Sequence, residues 1–575
     1  MTNSILDQEK SKMRPELELV RCSARPQGPE SDARIKALFS EELDWSEILA
    51  CAVQHKLVPV LYERVRALDP GWLTHDRGQT LAELARLAGR NNLAFLSEML
   101  RLNRQFEAAG VPAIPFKGPA LGWLAYPNFA LRTCADLDFV VPQRCIPQAT
   151  SVLQACGYTP QFTPVEAEAT QNGLALGQYA FSPRGSRSFV ELHTERTLRY
   201  FSRPLDLDEL GARLIRLEIG GQTVRTFSVE DLLVMLCVHG AKHFWERLAW
   251  IVDIARLLTV CEVNWRLLSE IAEKTQSTRL LLLGLHLAHE MFDAQLPKSV
   301  LEGARRDAQV QWLATKVFEL YSRNSDSSLG VLPRAVFRLR SCDGFWQGVR
   351  KLVRLSVIPT ESDREAIRLP GFLSPVYSLV RLFRLVGQYG LHQRLKPDLA
   401  IYQPTPQEIV DQMLRLAEVA PGDVLYDLGS GDGRIVVTAA ERYGIRAVGV
   451  EINPTRIAEA RANARRHGVE DRAQFILGDA KNADFREATV ITMFLGADGN
   501  LRLVDRLHEQ LRSGARIVSR DFLIYGWEPE RTENRVLSTG LRTSLYLWTI
   551  KEARKKKTAE EDAAPEWRQT YKARG

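Results

Sequence analysis

Two carboxylates flank a glycine-rich loop in the C-terminal third of the chain, and these are the residues whose types and spacing most directly suggest chemistry: Asp427, Gly429, Ser430, Gly431, Gly433 and Glu451. Glycine has no Cβ atom, so a bound anion can approach the backbone N–H groups of Ser430 to Gly433 closely. A carboxylate at Glu451 can accept hydrogen bonds from the hydroxyls of a ribose. The pattern therefore predicts a site for a nucleoside-containing cofactor.

Strand and helix patterns surround this loop and would position it. The apolar run Val424 to Tyr426 predicts a strand, and Arg434 to Tyr443 predicts a helix that ends at Gly444. A second apolar run, Ala447 to Val450, ends at Glu451. We expect a right-handed βαβ unit with an acid at the tip of its second strand.

The glycine spacing leaves the cofactor class open. Dinucleotide-binding folds use G-x-G-x-x-G, whereas this chain has G-x-G-x-G from Gly429 to Gly433. A tight turn without any ligand is a further interpretation. Gly478-Asp479-Ala480 follows the apolar run Ala473 to Leu477, so a further acid comes after a predicted strand, and this context favours a cofactor site.

The G-x-G-x-G spacing preceded by Asp427 resembles motif I of class I S-adenosylmethionine (SAM) methyltransferases. This resemblance implies that Asp427 and the glycine loop hold the methionine end of SAM and that Glu451 holds the ribose. It also implies that Asp479 and Ala480 lie against the adenine.

The resemblance extends over residues 401–550, which look like the seven-strand protein-lysine methyltransferases related to the ATP synthase c-subunit lysine methyltransferase. The segments that carry it are Gln403 to Glu408, Glu451 to Pro454, Met493 to Leu495, Asn500 and Gly514 to Ser519. The resemblance implies methylation of a protein lysine, with Thr405 and Gln407 in a loop that closes over SAM. It also implies that Phe494, Asn500 and Trp527 line the acceptor side.

A second group of acids lies in the N-terminal half. Asp136 and Asp138 are two residues apart at the start of an apolar run, so on a strand both carboxylates point to one face. Glu191, on a second predicted strand, could complete the group. Mg²⁺ binds through carboxylates and substrate phosphates, so the three acids predict a magnesium site. A solvated strand end is the simpler interpretation of D-x-D alone.

Residues 35–395 resemble a bacterial nucleotidyltransferase family of the polymerase-β-like superfamily. The segments that carry the resemblance are Phe116 to Gly118, Tyr126-Pro127, Arg132, Asp136 to Asp138, Glu191 to His193, Leu232 to His243 and Asp253. It implies that Asp136, Asp138 and Glu191 are catalytic metal ligands and that Lys117, Gly118 and Arg132 bind the phosphates of an NTP. The superfamily's Gly-Ser pair reads Gly118-Pro119 here, which removes one phosphate contact.

His239 and His243 lie four residues apart in a predicted helix. They could act as two ligands or as acid and base, but the H-E-x-x-H pattern of metalloproteases is absent. We expect them mainly to pack the helix against the strand that carries Glu191, with orientation of nucleotide or acceptor as the alternative.

Composition places the chain among ordinary globular proteins. It has 575 residues, of which 45% are hydrophobic, and a net charge of +6 from 76 basic and 70 acidic residues, so charge gives no case for nucleic acid. Its eight cysteines lack C-x-x-C spacing, which indicates reduced thiols. With no apolar signal-like segment in residues 1–20 and no long apolar run, we expect a soluble cytoplasmic protein.

The predicted organisation has four parts. Residues 1–30 form a disordered tail, residues 31–396 an α+β nucleotidyltransferase-like domain with helical additions, residues 397–552 an α/β Rossmann-like methyltransferase domain, and residues 553–575 a charged disordered tail. Residues 334–396 carry twelve Lys or Arg against four Asp or Glu. This stretch suggests peripheral membrane or RNA contact, but a helical cap with arginines covering apolar surface is favoured.

Three hypotheses remain open from the sequence. Both domains are enzymes, or the first is a degenerate nucleotide-binding or scaffold module while the methyltransferase acts on a small molecule or RNA, or the glycine loop binds a nicotinamide nucleotide.

Overall fold

The computed structural model describes residues 12–39, 41, 43–68, 75–160, 177–183, 189–195, 206–322, 331–344, 346–349, 404–524, 527–536 and 542–551. The chain divides into two compact units, one formed by residues 1–43 and 51–393 and the other by residues 44–50 and 394–575. The predicted C-terminal tail and most of the basic stretch, residues 350–396, lie outside the described residues.

Helices precede the sheet of the N-terminal unit. They are α1 (Pro15–Ser23), α2 (Pro29–Phe39), α3 (Trp45–Gln54), α4 (Val58–Leu68) and the long α5 (His75–Ala108), and residues 45–50 of α3 belong to the other unit. The prediction of a loose tail over residues 1–30 is wrong for α1, because Leu19 and Val20 of this helix are fully buried. Pro15 at its first position is compatible with a helix start and is a signal already visible in the sequence.

Five strands of the N-terminal unit form a mixed sheet in the order β1-β2-β5-β4-β3. They are β1 (Ile114–Pro115), β2 (Asp136–Val140), β3 (Tyr158–Pro160), β4 (Gln178–Pro183) and β5 (Phe189–His193). Strands β2 and β5 are parallel and pair Asp138 with Glu191. Helix α6 (Gly118–Ala125) begins directly after β1, and α7 (Ile146–Ala155) lies between β2 and β3.

A short hairpin and a group of helices complete the N-terminal unit. The hairpin consists of β6 (Ile215–Ile219) and β7 (Gln222–Thr226), which form their own antiparallel pair. The helices are α8 (Leu207–Ala212), α9 (Val229–Lys242), α10 (Leu248–Val260), α11 (Trp265–Lys274), α12 (Thr278–Phe292), α13 (Lys298–Arg306), α14 (Ala308–Ser322) and α15 (Val331–Arg340). The apolar side chains of α5 pack on the sheet, where the Phe106 and Phe139 ring centroids are 5.4 Å apart.

In α15, the described end of the basic stretch, arginines cover aromatic rings. The guanidinium groups of Arg334 and Arg338 each lie 5.2 Å from the Phe244 ring centroid, and Arg340 lies 4.3 Å from that of Trp312. In α15 the arginines thus cover aromatic surface, as the helical-cap interpretation expects of this part of the stretch.

The C-terminal unit contains a seven-stranded sheet in the order β10-β9-β8-β11-β12-β14-β13. Its strands are β8 (Val424–Leu428), β9 (Arg446–Glu451), β10 (Ala473–Leu477), β11 (Val490–Met493), β12 (Arg516–Arg520), β13 (Arg531–Val536) and β14 (Arg542–Thr549). The first five in chain order are parallel, and β14 runs antiparallel to β12 and β13. The helices are α16 (Gln407–Leu416), α17 (Arg434–Tyr443), α18 (Pro454–Arg466) and α19 (Gly496–Gln510).

Two apolar clusters cover the two faces of this sheet. Parallel strands need such cover on both sides, which explains why β8 and β9 read as continuous apolar runs. The chain order of the strands reverses between β8 and β11, and α/β sheets bind ligands at the carboxyl ends of strands beside such a switch point. The glycine loop follows β8 and Phe494 follows β11, so the topology brings both to that edge.

The predicted fold class is confirmed: an α+β N-terminal domain rich in helices and an α/β Rossmann-like C-terminal domain with seven strands. In the described residues no helix has the length and apolar character needed to cross a membrane. All eight cysteines are described and none is in a disulfide.

Candidate functional site

The glycines of the loop after β8 are required by conformation and by packing. Gly429, Gly431 and Gly433 have φ angles of 83°, 54° and 77°, which side chains with a Cβ rarely adopt. A Cβ on Gly429 would lie 2.4 Å from Leu495, and one on Gly433 would lie 2.6 Å from the Phe475 ring. The loop therefore has little room for any other residue.

Three of the four N–H groups predicted to face an anion, those of Ser430, Gly431 and Gly433, bond within the protein, which corrects the prediction for these three. Ser430 N donates to Val450 O at 3.0 Å, Gly431 N to Glu451 Oε2 at 2.8 Å, and Gly433 N to Ser430 O at 2.9 Å. An N–H group that already donates is not available to a pyrophosphate. The arrangement therefore disfavours a dinucleotide at this loop.

Glu451 lies at the end of β9 with only 9% of its surface exposed. One carboxylate oxygen accepts from Gly431 N, and the other accepts from Asn453 N at 2.9 Å. Each oxygen can accept a second hydrogen bond, so the side chain retains capacity for two hydroxyl donors. The nearby Ser430 Oγ is buried and has no hydrogen-bond partner among the described residues. These atoms can hold the polar part of a ligand.

Asp427 is buried beside the glycine loop, and Thr492 is directly opposite it on β11. Thr492 Oγ1 donates to Asp427 Oδ1 at 2.8 Å. Burial raises the pKa of Asp427 to about 7, with the Glu451 and Asp432 carboxylates contributing. Asp427 is therefore a buried acid that titrates near neutral pH. Thr492 is not among the predicted site residues, although its place in an apolar strand is a visible signal.

Asp479 and Ala480 lie beyond the end of β10, two and three residues after Leu477, which pairs with Glu451 in the register of the sheet. Asp479 Oδ1 accepts from Lys481 N at 2.9 Å and caps a short helical turn that begins at Ala480. The backbone N–H of Gly478 donates to Glu451 O at 2.9 Å, so this turn is fixed to β9. The predicted adenine contacts are thus placed beside the predicted ribose contact.

Thr405 is buried and tied to two elements of the sheet edge. Its hydroxyl accepts from Arg520 Nη1 at 3.3 Å, and its carbonyl accepts from Arg434 Nη1 at 2.9 Å. Gln407 Nε2 donates to Thr438 Oγ1 at 3.1 Å. The segment before α16 therefore packs on the end of β12 and on the start of α17.

Of the three residues predicted for the acceptor side, Phe494 and Asn500 both contact Phe522, whereas Trp527 packs elsewhere. Phe494 stacks with Phe522 at 5.7 Å between ring centroids, and the Arg520 guanidinium lies 4.3 Å from the Phe494 centroid. Asn500 is fully buried, and its Nδ2 donates to Ser519 Oγ at 3.1 Å and Phe522 O at 3.0 Å. Its Oδ1 has no hydrogen-bond partner among the described residues. This oxygen is a candidate acceptor for a substrate N–H group.

Trp527 does not lie beside Phe494 and Asn500, which corrects the prediction that it lines the acceptor side. Its ring packs against His508 at 4.5 Å between centroids and belongs to the core cluster under α19. Its carbonyl accepts from Trp548 Nε1 at 2.9 Å. Arg520, which is not among the predicted site residues, takes the place beside Phe494.

In the N-terminal unit, strand register brings Asp138 and Glu191 together with His193. One ligand atom from each of these three residues lies within 4.8 Å of the other two. His193 Nε2 is 2.7 Å from Asp138 Oδ1 and 3.4 Å from Glu191 Oε2. Lys117 Nζ lies 3.4 Å from Asp138 Oδ2. The cluster is therefore two acids facing an imidazole and an ammonium group.

The charges of this cluster stabilise one another. Burial disfavours an ionised Asp138, but Lys117 and His193 hold the pKa of this carboxyl far below its ordinary value. Burial opposes protonation of His193, and its hydrogen bonds to Asp138 and Glu191 nevertheless raise its pKa. His193 ends the Glu-Leu-His segment of the family resemblance, and only the register of β2 and β5 shows what it contacts.

Asp136 lies at the start of β2 and is not part of this three-residue group. Burial and the Asp138 carboxylate raise its pKa. Lys56 is one of the cations that act on Asp136, and burial together with Arg247 lowers the pKa of Lys56 to about 8. The three residues whose ligand atoms lie together are therefore Asp138, Glu191 and His193, whereas the prediction was Asp136, Asp138 and Glu191. Asp136 lies beside the group.

Arg132 is occupied by a buried ion pair, which corrects its predicted contact with phosphate. Its Nε and Nη2 donate to the two Asp253 carboxylate oxygens, each at 2.9 Å, and Tyr126 donates to Asp253 at 2.8 Å. Its Nη1 donates to Gly118 O at 3.0 Å. Gly118 has a φ of 53°, and a Cβ there would lie 3.2 Å from Asp136 O. Arg132 therefore shapes the Gly118 turn from behind.

His239 and His243 form an aromatic group with Trp250. Their ring centroids are 4.8 Å apart, and those of His243 and Trp250 are 5.1 Å apart. Burial and the Lys117 charge lower the pKa of His239, and burial and Lys242 lower that of His243 to about 4. Both rings are therefore neutral at physiological pH, as expected of packing histidines.

The donor set at Asp138 fits a divalent cation. Carboxylate oxygens from two neighbouring strands suit Mg²⁺, and an imidazole nitrogen also suits Mn²⁺. In the structure Lys117 and His193 provide the positive charge beside Asp138 that a bound cation would provide. Asp138 and Glu191, with His193 or Asp136 as the third ligand, are the residues that would hold it.

Comparison with known proteins divides the chain in the same way. Residues 41–293 match the model of an uncharacterised nucleotidyltransferase family. Residues 427–531 match the ANTKMT methyltransferase domain.

Individual relatives match the C-terminal part of the chain. A protein-lysine N-methyltransferase from Saccharolobus islandicus is 44% identical over 152 residues, which are 26% of this chain and 94% of that protein. The rat ATP synthase c-subunit lysine N-methyltransferase is 31% identical over 188 residues, which are 32% of this chain and 86% of that protein. A solved RNA methyltransferase from Salinibacter ruber, in complex with S-adenosyl-L-homocysteine, is 48% identical over 26% of this chain and 95% of that chain, with a TM-score of 0.25.

Proposed function

The C-terminal domain of this chain belongs to the ANTKMT methyltransferase family, and on that premise we propose that it transfers methyl groups from SAM to lysine side chains of a protein. The observation that carries the proposal is the identity to a protein-lysine N-methyltransferase over nearly the whole length of that relative. The geometry at the carboxyl ends of β8 and β11 supports it.

SAM supplies a methyl group activated by a sulfonium sulfur. Glu451 has one unused acceptor position on each oxygen for the ribose hydroxyls, and Ser430 Oγ lacks a partner among the described residues. Asp427 can take the ammonium group of the methionine end, since a cation beside this buried acid would offset the cost of its ionisation. In this proposal Asp479 and Ala480, in the turn after β10, contact the adenine.

The acceptor lysine would enter beside Phe494. An amine N–H can donate to the unpartnered Asn500 Oδ1, which the amide's own hydrogen bonds hold in place. The lysine must first lose a proton from an ordinary pKa of about 10.4. The nearby Arg520 guanidinium disfavours a second positive charge, so it helps to keep the amine neutral. Alignment then supplies much of the rate enhancement.

A methyl-transfer assay tests this proposal. The purified full chain is incubated with SAM labelled in its methyl group and fractionated lysate, and protein is hydrolysed to find labelled methyl-lysine. Asp427→Ala and Glu451→Ala serve as inactive controls. Label in RNA or small molecules with none on protein would contradict the lysine acceptor.

For the N-terminal domain we propose a magnesium-dependent transfer of NMP from an NTP to an acceptor, in which an acceptor oxygen bonds to the α-phosphorus and pyrophosphate leaves. The observation that favours it is the pairing of Asp138 with Glu191 in adjoining strands, with Lys117 beside them. A bound divalent cation would neutralise phosphate charge there. In this scheme Lys117 contacts a phosphate, and the Gly118 turn, held by Arg132, keeps space for it.

Labelled NTPs test the second proposal. The full chain with Mg²⁺ and each α-phosphate-labelled NTP should place label on a lysate component, and Asp138→Asn should abolish the transfer. NTP binding without transfer would instead favour a degenerate module, consistent with Pro119 and with the occupied Arg132.

A further inference from the structure

A cleft of about 650 Å³ lies in the N-terminal unit, between the C-terminal end of α5 and the β6–β7 hairpin. Its lining contains three arginines and one glutamate: Arg104, Arg216, Arg225 and Glu107. It contains none of the residues of the Asp138 cluster. The cleft is therefore a separate feature with a formal charge of +2.

Two of these arginines face each other across the hairpin. Arg216 pairs directly with Arg225 in the register of β6 and β7, and both side chains are exposed. Like charges in such a pair repel and destabilise the strands. Among the described residues no ion pair or hydrogen bond joins either of them, or Arg104, to an acid, whereas the nearby Arg213 pairs with Asp231 at 2.8 Å. The cleft thus keeps a net positive charge, which Glu107 in its lining reduces but does not cancel.

The cleft also contains an unsatisfied acceptor. Gln222 Oε1 is buried in its wall and has no hydrogen-bond partner in the described part of the chain. Neighbouring polar groups are already occupied: Thr223 Oγ1 donates to Glu218 at 2.7 Å, and Glu107 accepts from Asn103 at 3.1 Å. A buried acceptor without a partner is costly, so a donor from a ligand would be stabilising there.

We propose that this cleft binds a small phosphorylated molecule that carries a hydroxyl group near its phosphate. The guanidinium groups of Arg216 and Arg225 match a phosphate in charge and in their paired donors, and a phosphate between them removes their repulsion. Arg104 adds a third cation from α5, and the hydroxyl donates to Gln222 Oε1. Val111 and Pro112 provide an apolar part of the wall.

Calorimetry on the full chain without divalent metal tests the site with three probes: ribose 5-phosphate, inorganic phosphate and ribose. Ribose 5-phosphate should bind most tightly and ribose should not bind. Arg216→Gln and Arg225→Gln should each weaken the binding of ribose 5-phosphate about tenfold or more, since each removes charged hydrogen bonds. Arg266→Gln is the matched control, because this arginine is exposed and its ion pair in the described part of the chain is with Glu270 on its own helix.

A second readout shows that the charges act as inferred. Arg216→Gln should slightly raise the unfolding temperature of the unliganded chain, because it removes the repulsion with Arg225. Lys117→Gln should leave ribose 5-phosphate binding unchanged, which separates this cleft from the Asp138 cluster. Absence of ribose 5-phosphate binding, equal affinity in Arg216→Gln and Arg266→Gln, or binding of an RNA oligonucleotide but not of ribose 5-phosphate would each overturn the proposal.

Discussion

The backbone N–H of Gly431 donates a hydrogen bond to Glu451 Oε2 at 2.8 Å, and this contact joins the glycine loop to the end of the neighbouring strand. Glu451 therefore fixes the loop conformation, and in the proposed function its remaining acceptor positions would receive the ribose hydroxyls.

Replacing Glu451 with glutamine is expected to weaken SAM binding about tenfold to a hundredfold, because charged hydrogen bonds are each worth ~1.5–3 kcal/mol. Glutamine has only one side-chain oxygen, so it cannot accept with separate oxygens from Gly431 N and Asn453 N as the carboxylate does. Calorimetry with SAM measures the change. Glu470→Gln, an exposed change, is the control, and unchanged affinity in Glu451→Gln would contradict the role of Glu451.

SAM binding is expected to strengthen as pH rises through about 7, because Asp427 has a pKa raised by burial to about 7 and binds a cation only when ionised. Calorimetry in buffers of different ionisation enthalpy should detect proton release on binding near pH 6. In Asp427→Asn the release should disappear and affinity should fall. Proton release that persists in this variant would show that another group titrates.

The stability of the unliganded domain should have the opposite pH dependence. The folded pKa of Asp427 lies above its unfolded value, so its protonated form stabilises the fold below pH 4, and that stabilisation is lost as pH rises to about 7. The loss is at most about 4 kcal/mol, and Asp427→Asn should remove it. Thermal unfolding at pH 5 and pH 8 measures the difference. A wild-type midpoint less sensitive to pH than that of the variant would contradict the assignment.

Asn500→Ala is expected to destabilise the C-terminal domain by about 1–3 kcal/mol, because Ser519 Oγ and Phe522 O lose a buried donor. It should also lower kcat for methyl transfer while leaving SAM affinity intact in the folded fraction. Thermal unfolding and single-turnover methylation measure the two effects. Asn534→Ala, on an exposed strand, is the matched control, and equal behaviour of the two variants would exclude a positioning role for Asn500.

Asp253→Asn is expected to destabilise the N-terminal unit by about 3–5 kcal/mol, because it leaves the Arg132 guanidinium buried without a countercharge. Arg132→Lys should be milder but cannot restore both hydrogen bonds. Thermal unfolding followed by tryptophan fluorescence measures the change. An Arg132→Lys variant that unfolds at the wild-type temperature but loses NTP binding would support the original prediction that Arg132 contacts a phosphate.

Gly433→Ala is expected to destabilise the C-terminal domain by at least about 1–3 kcal/mol, because the new Cβ would lie 2.6 Å from Phe475 and 2.8 Å from Ala460. The left-handed φ of Gly433 adds strain. Gly478→Ala is the control, since nothing lies within 4 Å of its Cβ position. Equal unfolding midpoints of the two variants would show that the loop can rearrange.

Local signals in the sequence specify the C-terminal fold and the chain order in which its site residues follow the strands. Apolar runs of strand length and the Gly433 and Gly444 boundaries of α17 are local signals, so they specify β8, α17 and β9 without knowledge of any contact. The same local logic missed α1, because a short helix with charged neighbours is stabilised by burial of Leu19 and Val20 rather than by its own pattern.

Tertiary structure alone decided what most site residues do. Whether an N–H, a guanidinium or an indole is available to a ligand depends on partners distant in the chain. The Arg132 guanidinium donates to Asp253, and the Trp527 ring packs in the apolar core. His193 joins Asp138 because parallel register places them together, which a sequence cannot fix when neighbouring apolar strands admit several registers. Residue type and spacing thus specified the backbone, whereas long-range pairing specified which polar groups remain free for chemistry.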